Sequence, residues 1–284
     1  MAYKVSASRK LFLTFNVILC VLIMVAVLFP LWMAFATSVA PDSQVIQGDF
    51  VIIPKSIGFS CYTAIFQGGY FGAFLNSIFV AVVGTILSIV MTLFTGYALA
   101  QKDLIGRRFF MGFIFITLVF NAGIIPFYFV VRSLKMIDTY WALFIPVLIQ
   151  TYYLILMKNF MISIPESLIE SARLDGCSEL GILFKIVAPV SIPIIAAITL
   201  FYVVFYWNQY INVVMFINSN DKNTIQVLLR QLVFENSSAT TGANHVYNNF
   251  KMGVMFVAML PVLVLYPFIQ RYFISGIMMG SIKE

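Results

Sequence analysis

Long stretches without a charged side chain constrain this chain more than any other feature of its sequence. A charge at the centre of a bilayer costs about 2.5–3.5 kcal/mol, and a spanning helix requires roughly 20 residues. With 62% hydrophobic and 10% charged residues, the chain also lacks the roughly 25% of charged residues typical of a soluble protein. We therefore predict an all-α polytopic membrane protein that forms a single transmembrane domain over residues 1–284. Its six transmembrane helices are predicted over residues 11–36, 71–99, 109–131, 139–157, 193–214 and 252–270.

The Lys and Arg residues between the predicted spans indicate the orientation. With the N-terminus in the cytoplasm, eleven of these 17 residues lie on the inner side and six on the outer side. The positive-inside rule then places both termini in the cytoplasm. The basic N-terminus and the Ala34-Phe35-Ala36 sequence also fit a secretory signal peptide. We favour a retained helix, because the first apolar stretch is longer than the roughly 7–15 residues of a signal-peptide core.

Catalytic and metal-binding motifs are absent from the sequence. It contains no Gly-x-x-x-x-Gly-Lys-[Ser/Thr] phosphate loop, no His-Glu-x-x-His and no Gly-x-Ser-x-Gly. The single histidine, His245, excludes a multi-histidine metal site, and no Asp or Glu lies deep in a predicted span. We therefore expect no enzyme activity, no catalytic or metal-ligating residues and no cofactor on this chain. Because no basic run is longer than Arg107-Arg108, we also expect no nucleic-acid binding.

If the protein transports a solute, we expect another chain to supply the energy. The loop after the fourth span is the candidate segment for docking that chain. Ser163 and Glu166 have the spacing of a capping box at the start of a helix. Gly176 suits the left-handed residue that follows a helix, and Ser178 can cap a second short helix. The sequence thus predicts a cytoplasmic helix-turn-helix over residues 163–189.

The first helix of this segment has an apolar face that includes Ile169 and Ala172. Its polar face is mainly acidic and includes Glu170. An amphipathic linker that lies in the membrane interface is the open alternative. Such helices usually carry Lys and Arg on their polar face, so the acidic face is better suited to a basic protein partner.

The same segment resembles the signature of a known family. That signature reads Glu-Ala-Ala, three residues, Gly, nine residues and Ile-x-Leu-Pro. This chain has Glu170-Ser171-Ala172, Gly176 and Ile186-Val187-Ala188-Pro189, with both spacings intact. Ser171 and Ala188 depart from the signature, but they leave the turn and the proline in place. From about residue 10 to its end, the chain resembles the inner-membrane permease subunits of binding-protein-dependent ABC importers.

Further segments are similar to the carbohydrate, maltose-permease-type branch of this family, namely residues 76–77, 96–100, 207–210 and 270–276. Residues 120–126 and 276–283 are similar to the subgroup linked to complex oligosaccharides and polysaccharide fragments. The resemblance implies the type I ABC importer permease fold and a multi-pass protein of the bacterial cell membrane. It also implies the import of sugars, and of oligosaccharides in particular.

The resemblance implies the partners as well. They are a second homologous permease subunit, two copies of an ABC ATPase that binds ATP and Mg, an extracytoplasmic solute-binding protein, the sugar substrate and membrane lipid. ATP-driven closure of the ATPase is then expected to move residues 163–189 as a lever. The residues implied in coupling are Glu166, Glu170, Ala172, Arg173, Asp175, Gly176, Ile186 and Pro189.

Sugar sites combine aromatic faces with amide and hydroxyl groups, so the third and fifth spans offer a substrate pathway. The candidate residues are Asn121, Tyr206, Trp207, Asn208, Gln209, Tyr210 and Asn212. Two structural interpretations stay open, because aromatic residues gather at membrane interfaces and Asn can bridge helices. In this family the partner permease often holds most substrate contacts, so this chain can also supply only a gate or a cavity wall.

The role of one external stretch and two alternative functions of the chain stay open. Residues 218–249, which include His245, form a polar external stretch that is either a contact for the binding protein or a plain solvated loop. A secondary transporter would require protonatable or ion-coordinating residues near the bilayer midplane and usually repeated halves, and the sequence shows neither. An ABC permease for a non-sugar solute is the other alternative.

Overall fold

A computed structural model describes residues 7–45, 51–120, 122–238 and 248–281, and no β-strand occurs in these ranges. The all-α prediction is confirmed. The α-helices are α1 (Ala7–Ser38), α2 (Asp42–Val45), α3 (Ser60–Gln67), α4 (Gly69–Ala100), α5 (Arg107–Val119), α6 (Ile124–Ser133), α7 (Trp141–Phe144), α8 (Thr151–Ile162), α9 (Glu166–Leu174), α10 (Glu179–Ile182), α11 (Ala188–Val190), α12 (Ile192–Trp207), α13 (Ile211–Phe216), α14 (Ile225–Ser238) and α15 (Asn248–Ser281). Three short helical turns connect some of them: a 3-10 turn at Ile145–Val147, a π-helical turn at Leu183–Val187 and a 3-10 turn at Asn220–Lys222.

Helices occupy each of the six predicted spans, but only some are continuous. Within the described residues, α1 and α4 are each long and apolar enough to cross a membrane. Two further pairs meet this requirement only together and are bent, Trp141–Val147 with Thr151–Ile162 by 51° and Glu179–Val190 with Ile192–Trp207 by 83°. Because the second bend is close to a right angle, we place Glu179–Val190 outside the fifth span, in the predicted loop.

Besides the bent fourth span, two predicted spans are interrupted. The third is divided between α5 and α6, where Gly123 adopts a φ of +81° that a continuous helix cannot contain. The helix of the fifth span ends at Trp207 instead of residue 214, and α13 resumes after residues 208–210. At this break the Gln209 side chain donates from Nε2 to the Leu143 carbonyl oxygen at 3.3 Å. The prediction of one uninterrupted helix over residues 193–214 is therefore wrong, because polar residues at its end bond to a neighbouring segment.

The predicted polar stretch over residues 218–249 also needs correction. It contains α14, of which Ile225, Val227 and Leu232 are buried. Ile225–Phe234 is an apolar helix, so the stretch is polar only on either side of it. Residues 239–247, with His245, lie outside the described residues.

The described residues fall into two compact units, one within Met1–Phe71 and Leu229–Leu260 and the other within Gly72–Leu228 and Pro261–Glu284. In the first unit, the C-terminal end of α1 is tied to α3 and α15. The Ser38 and Tyr62 hydroxyl oxygens lie 2.6 Å apart, and Asn249 donates from Nδ2 to the Ala40 carbonyl oxygen at 3.4 Å. Apolar side chains before this end of α1 are mostly exposed, as expected of a helix whose solvent is lipid.

In the second unit, two buried tyrosines of α12 bind polar side chains of α4. The Tyr206 hydroxyl lies 2.8 Å from Ser88 Oγ, and the Tyr202 hydroxyl lies 2.8 Å from Thr92 Oγ1. Tyr202 also accepts a hydrogen bond from the Gln150 N–H at 3.0 Å, at the bend in the fourth span. Two hydrogen-bonded tyrosines in the core of this unit therefore join α12 to α4 and to the residue before α8.

We expect Gly84→Ala to destabilise the protein. An added Cβ at Gly84 would lie 2.6–2.7 Å from three ring atoms of Tyr206, which is buried and bonded to Ser88. Overpacking of this kind costs about 1–3 kcal/mol and should lower the midpoint of thermal unfolding in detergent. Gly72→Ala in the same helix is the matched control, since its Cβ would meet nothing within 4 Å. An equal midpoint for the two variants would contradict this packing.

Candidate functional site

The predicted docking segment does not begin with the expected capping box. Ser163 donates from Oγ to the Phe160 carbonyl oxygen at 2.7 Å, and no side chain caps the start of α9. The helix begins at Glu166, directly after Pro165. The Glu166 carboxylate forms an ion pair with the Lys102 ammonium. The capping-box prediction is wrong because a tertiary ion pair occupies the glutamate that the motif requires.

A tight turn ends α9 at the expected glycine. Gly176 has a φ of +78°, a left-handed conformation that disfavours residues with a Cβ atom. Its N–H donates to the Arg173 carbonyl oxygen at 3.0 Å, and the Cys177 N–H donates to the Ala172 carbonyl oxygen at 3.0 Å. This pair of bonds is a Schellman motif, which fixes the direction in which the chain leaves the helix.

The second helix starts immediately after this turn. Ser178 Oγ accepts a hydrogen bond from the Gly181 N–H at 3.2 Å and caps α10. The π-helical turn and α11 extend the helix to Val190, and Ile182 and Val187 are buried. The backbone of residues 163–189 is therefore a helix, a tight turn and a second helix that is anchored in the core of the second unit.

A side-chain network joins this segment to the C-terminal end of α4. The Arg173 guanidinium donates from Nε to Glu179 Oε1 at 2.8 Å and from Nη2 to Gln101 Oε1 at 3.0 Å. The Tyr97 hydroxyl donates to Glu179 Oε2 at 2.6 Å. Hydrogen bonds from Arg173 and then Tyr97 lower the pKa of the Glu179 carboxyl. Together with Lys102–Glu166, the network binds α9 and α10 to Tyr97 of α4 and to the two residues that follow this helix.

The predicted coupling residues differ in exposure. Glu166, Glu170, Arg173, Asp175, Gly176 and Pro189 are exposed, Ile186 is half-buried and Ala172 is buried. Glu166 and Arg173 are occupied by partners within the chain. Glu170 forms no hydrogen bond or ion pair with any described residue, so its carboxylate stays available to another molecule.

An open cleft of about 410 Å³ separates α9 from the ends of α4 and α8. Lys102, Arg107 and Arg173 contribute its positive charges, Glu166 contributes a negative charge, and Ile169 lines its apolar wall. Arg107 donates from Nε to the Leu99 carbonyl oxygen at 3.0 Å. Among the described residues, no group of three or more His, Cys, Asp or Glu side chains could hold a metal ion.

The predicted substrate-pathway residues divide between the interior and the surface of the second unit. Tyr206, Trp207 and Gln209 are buried, Tyr210 and Asn212 are half-buried, and Asn208 is exposed. Within the described part of the chain, the buried Gln209 Oε1 has no hydrogen-bond partner. Asn121 lies outside the described residues.

Sequence reasoning missed an aspartate that organises the start of the fourth span. Asp138, just before the predicted span, has a φ of +61° and accepts hydrogen bonds from the Ser219 hydroxyl at 2.5 Å and the Asn218 N–H at 3.1 Å. The Lys222 ammonium lies 3.2 Å from its carboxylate. The Ser219 bonds, more than Lys222, hold the pKa of Asp138 well below its usual range. No local pattern signals this site, since its partners lie about 80 residues away.

Comparison with known proteins identifies the family of this chain. The family model of the binding-protein-dependent transport system inner membrane component matches residues 92–279. The chain belongs to this family. It is a permease subunit of a binding-protein-dependent ABC importer and a component of the inner membrane.

Individual relatives of the permease agree with this family. It is 41% identical to the polygalacturonan/rhamnogalacturonan transport system permease protein YtcP of Bacillus subtilis, over 96% of each chain. It is 30% identical to the arabinooligosaccharides transport system permease protein AraQ of Bacillus subtilis, over 90% of each chain. A crystallised bacterial ABC transporter involved in the import of the acidic polysaccharide alginate matches with a TM-score of 0.86 and 28% identity, over 96% of this chain and 100% of that one. The predicted resemblance to carbohydrate ABC permeases, and their fold, is confirmed.

We expect Glu179→Gln to loosen the docking segment of the permease. The amide cannot pair with the Arg173 guanidinium as the carboxylate does, so α9 loses an ion pair to α10, and α10 loses a charge-assisted bond from Tyr97 of α4. Amide hydrogen exchange over residues 166–182 should become faster. Glu170→Gln is the matched control, because Glu170 forms no hydrogen bond or ion pair with a described residue. Equal protection in both variants would show that the network does not hold the segment.

Acidification is expected to have the same effect as Glu179→Gln. Hydrogen bonds from Arg173 and Tyr97 lower the pKa of Glu179. The Glu179 carboxylate is therefore ionised, and its ion pair with Arg173 fully formed, above the usual glutamate pKa of about 4.3. It is lost only as the pH falls through the lowered value. Hydrogen exchange over residues 166–182 should therefore be unchanged between neutral pH and about pH 5 once corrected for the intrinsic exchange rate. Loss of protection within this range would contradict the assignment.

Proposed function

We propose that this permease pairs with a second homologous permease subunit and two copies of an ABC ATPase to import oligosaccharides. An extracytoplasmic solute-binding protein would deliver the sugar. ATP and Mg would bind to the ATPase, since this sequence contains no phosphate loop. The observation that carries the proposal is the segment 163–189, which combines the signature spacing with an exposed acidic helix and a glycine turn.

The exposed side of α9 is suited to a basic partner. Glu170 forms no hydrogen bond or ion pair within the described residues and would pair with a basic group on the ATPase. Gly176 lies in an exposed turn where a Cβ would meet nothing within 4 Å, so the partner backbone can approach closely. Glu166 is bound to Lys102, and Arg173 is bound to Gln101 and Glu179. We therefore assign these two residues to holding the lever and Glu170 to contacting the ATPase.

The bonds at the end of α4 provide a route for the movement. Three side-chain bridges fix α9 and α10 to this end, namely Lys102–Glu166, Arg173–Gln101 and Glu179–Tyr97. A displacement of α9 by the ATPase would therefore displace α4. Because α4 is hydrogen-bonded to Tyr202 and Tyr206 of α12, the three helices would move together. Rigid-body movement of this kind alternates access in many transporters.

The interruptions in the third and fifth spans support a substrate pathway. Irregular backbone at membrane depth is tolerated where it is buried in protein or lines a water-filled cavity. Asn208 is exposed beside the break at residues 208–210, and Tyr210 and Asn212 are half-buried there. These three side chains are the candidates for sugar contact, and Asn121 in the third span stays a prediction. The buried Tyr206, Trp207 and Gln209 are better placed to hold the break.

Orientation follows from the charges, with both termini in the cytoplasm of a bacterial cell. The cytoplasmic segments then contain eleven Lys and Arg residues and the external segments contain six. Residues 163–189 lie on the cytoplasmic side in this orientation, where an ATPase has access to ATP. The exposed apolar side chains of α1 would contact membrane lipid.

Charge reversal at Glu170 is expected to separate the permease from its ATPase. Glu170→Lys should reduce ATP-coupled uptake by at least about tenfold, because repulsion across an interface costs several kcal/mol. Gly176→Asp should also reduce uptake, because a side chain is strained at a φ of +78° and blocks the close approach of the partner backbone. Both variants should still insert into the membrane. Uptake and the ATPase that co-purifies with the tagged permease are measured together.

Asp221→Lys is the control for this experiment, since Asp221 is an exposed acid in the turn Asn220–Lys222. It should retain the ATPase. Normal transport by Glu170→Lys and Gly176→Asp would refute the lever. Uptake by the permease alone, without a co-purifying ATPase, would favour a secondary transporter.

The substrate class is tested on the solute-binding protein of the same transport system. The names of the relatives include polygalacturonan/rhamnogalacturonan, arabinooligosaccharides and alginate. We expect oligosaccharide fragments of one of these polymers to raise the melting temperature of the binding protein. Monosaccharides and glycerol phosphate serve as controls. A shift with only a non-sugar solute would support the alternative importer.

A further inference from the structure

The two most exposed large apolar side chains of the described residues lie outside the predicted spans. Ile105 is 93% exposed and Leu174 is 89% exposed. Leu174 is the last residue of α9 and belongs to the proposed ATPase contact. Ile105 lies in the connection between α4 and α5, for which sequence reasoning assigned no role. Because neither side chain is on a spanning helix, contact with the bilayer core does not explain its exposure.

The connection that carries Ile105, residues 101–106, is a defined turn, and we call it the α4–α5 turn. Gly106 adopts a φ of +77°, and the Arg107 N–H donates to the Leu104 carbonyl oxygen at 3.2 Å. The Gln101 N–H donates to the Ala98 carbonyl oxygen at 3.3 Å. These bonds close the turn and hold Ile105 at its tip.

The α4–α5 turn is bonded directly to the proposed ATPase contact. Its residue Lys102 pairs with Glu166 at the start of α9, and its residue Gln101 accepts from Arg173 at 3.0 Å near the end of α9. The two bridges lie at opposite ends of the same helix. Residues 101 and 102, at the start of the turn, are therefore bonded to both ends of α9, so the turn begins beside this helix.

Charges on this surface favour a basic protein partner. Asp103 on the turn and Glu170 and Asp175 on the docking segment are exposed, and none of them forms an ion pair with a described residue. Arg107 and Arg108 follow Ile105 in the sequence, but the three acidic groups have no ion-pair partner among the described residues. They are complementary to the same basic surface that Glu170 would contact.

We propose that the α4–α5 turn is a second contact with the ATPase subunit that binds α9, and that Ile105 is its apolar anchor. This inference rests on the proposed function, because it extends the contact of residues 163–189 to a neighbouring turn. A single-helix contact can pivot about its own axis. A contact at both α9 and the turn would instead transmit rotation as well as translation to α4.

A photo-crosslinking amino acid at position 105 tests the contact in the assembled importer, with its ATPase identified by co-purification and mass spectrometry. The same amino acid at position 174 reports on the proposed coupling helix. Ile53 is the matched control, as an isoleucine that is 76% exposed in the other compact unit. We expect crosslinks to the ATPase from positions 105 and 174 but not from position 53.

The possible results separate the two proposals. Crosslinks from position 174 but not from position 105 would overturn the second contact and leave the proposed function standing. Crosslinks from neither position would overturn both. Crosslinks from position 105 only to lipid or to the second permease would also overturn the inference.

A substitution gives an independent measurement. Ile105→Asp should weaken retention of the ATPase by about tenfold or more, since burial of one isoleucine is worth about that factor in affinity. The expression and melting temperature of the permease should not change, because the side chain makes no buried contact. Ile53→Asp should retain the ATPase fully. Equal retention in the two variants would refute the role of Ile105.

Discussion

The hydroxyl group of Tyr202 in α12 is hydrogen-bonded both to α4 and to the backbone at the start of α8. An unpaired backbone N–H in lipid costs several kcal/mol, so a span can bend only where another group satisfies the backbone. Tyr202 accepts from the Gln150 N–H at the bend of the fourth span and also bonds to Thr92 of α4. The bent span, α4 and α12 are therefore interdependent. Tyr206 adds a second bond to α4 at Ser88, and Gly84 leaves the space for its ring.

This core explains why a loop at one end of α4 can influence the helices. Tyr97 of α4, with Gln101 and Lys102 directly after this helix, binds the docking segment, and Thr92 of α4 binds Tyr202. A bridge of this kind has little value as a surface ion pair in isolation, where it contributes about 0–1 kcal/mol. Its value lies in geometry, since several directional bonds between the same two elements allow few relative orientations.

Sequence reasoning succeeded where a local pattern determines the structure. The apolar stretches predicted the helical spans, and Gly176 took the left-handed position that its place after α9 indicated. It failed where a distant partner competes with a local motif. The carboxylate of Glu166 pairs with Lys102 and does not cap the helix. The side chain of Gln209 bonds to the Leu143 carbonyl oxygen where the helix of the fifth span ends. Neither partner is near in sequence, so no window along the chain contains the decisive interaction.

The sequence by itself determined that the chain is a membrane protein, that it consists of helices and that residues 163–189 carry the signature of a permease. These properties depend on composition, on short spacings and on the conformational freedom of glycine. Only the tertiary structure decided which charged side chains are occupied and which are available. Arg173 and Glu170 are equally plausible as contacts in the sequence, yet Arg173 is bound to Glu179 and Gln101 while Glu170 is not bound. The reason is that pairing depends on distances between elements, which the packing of α4, α9 and α10 sets.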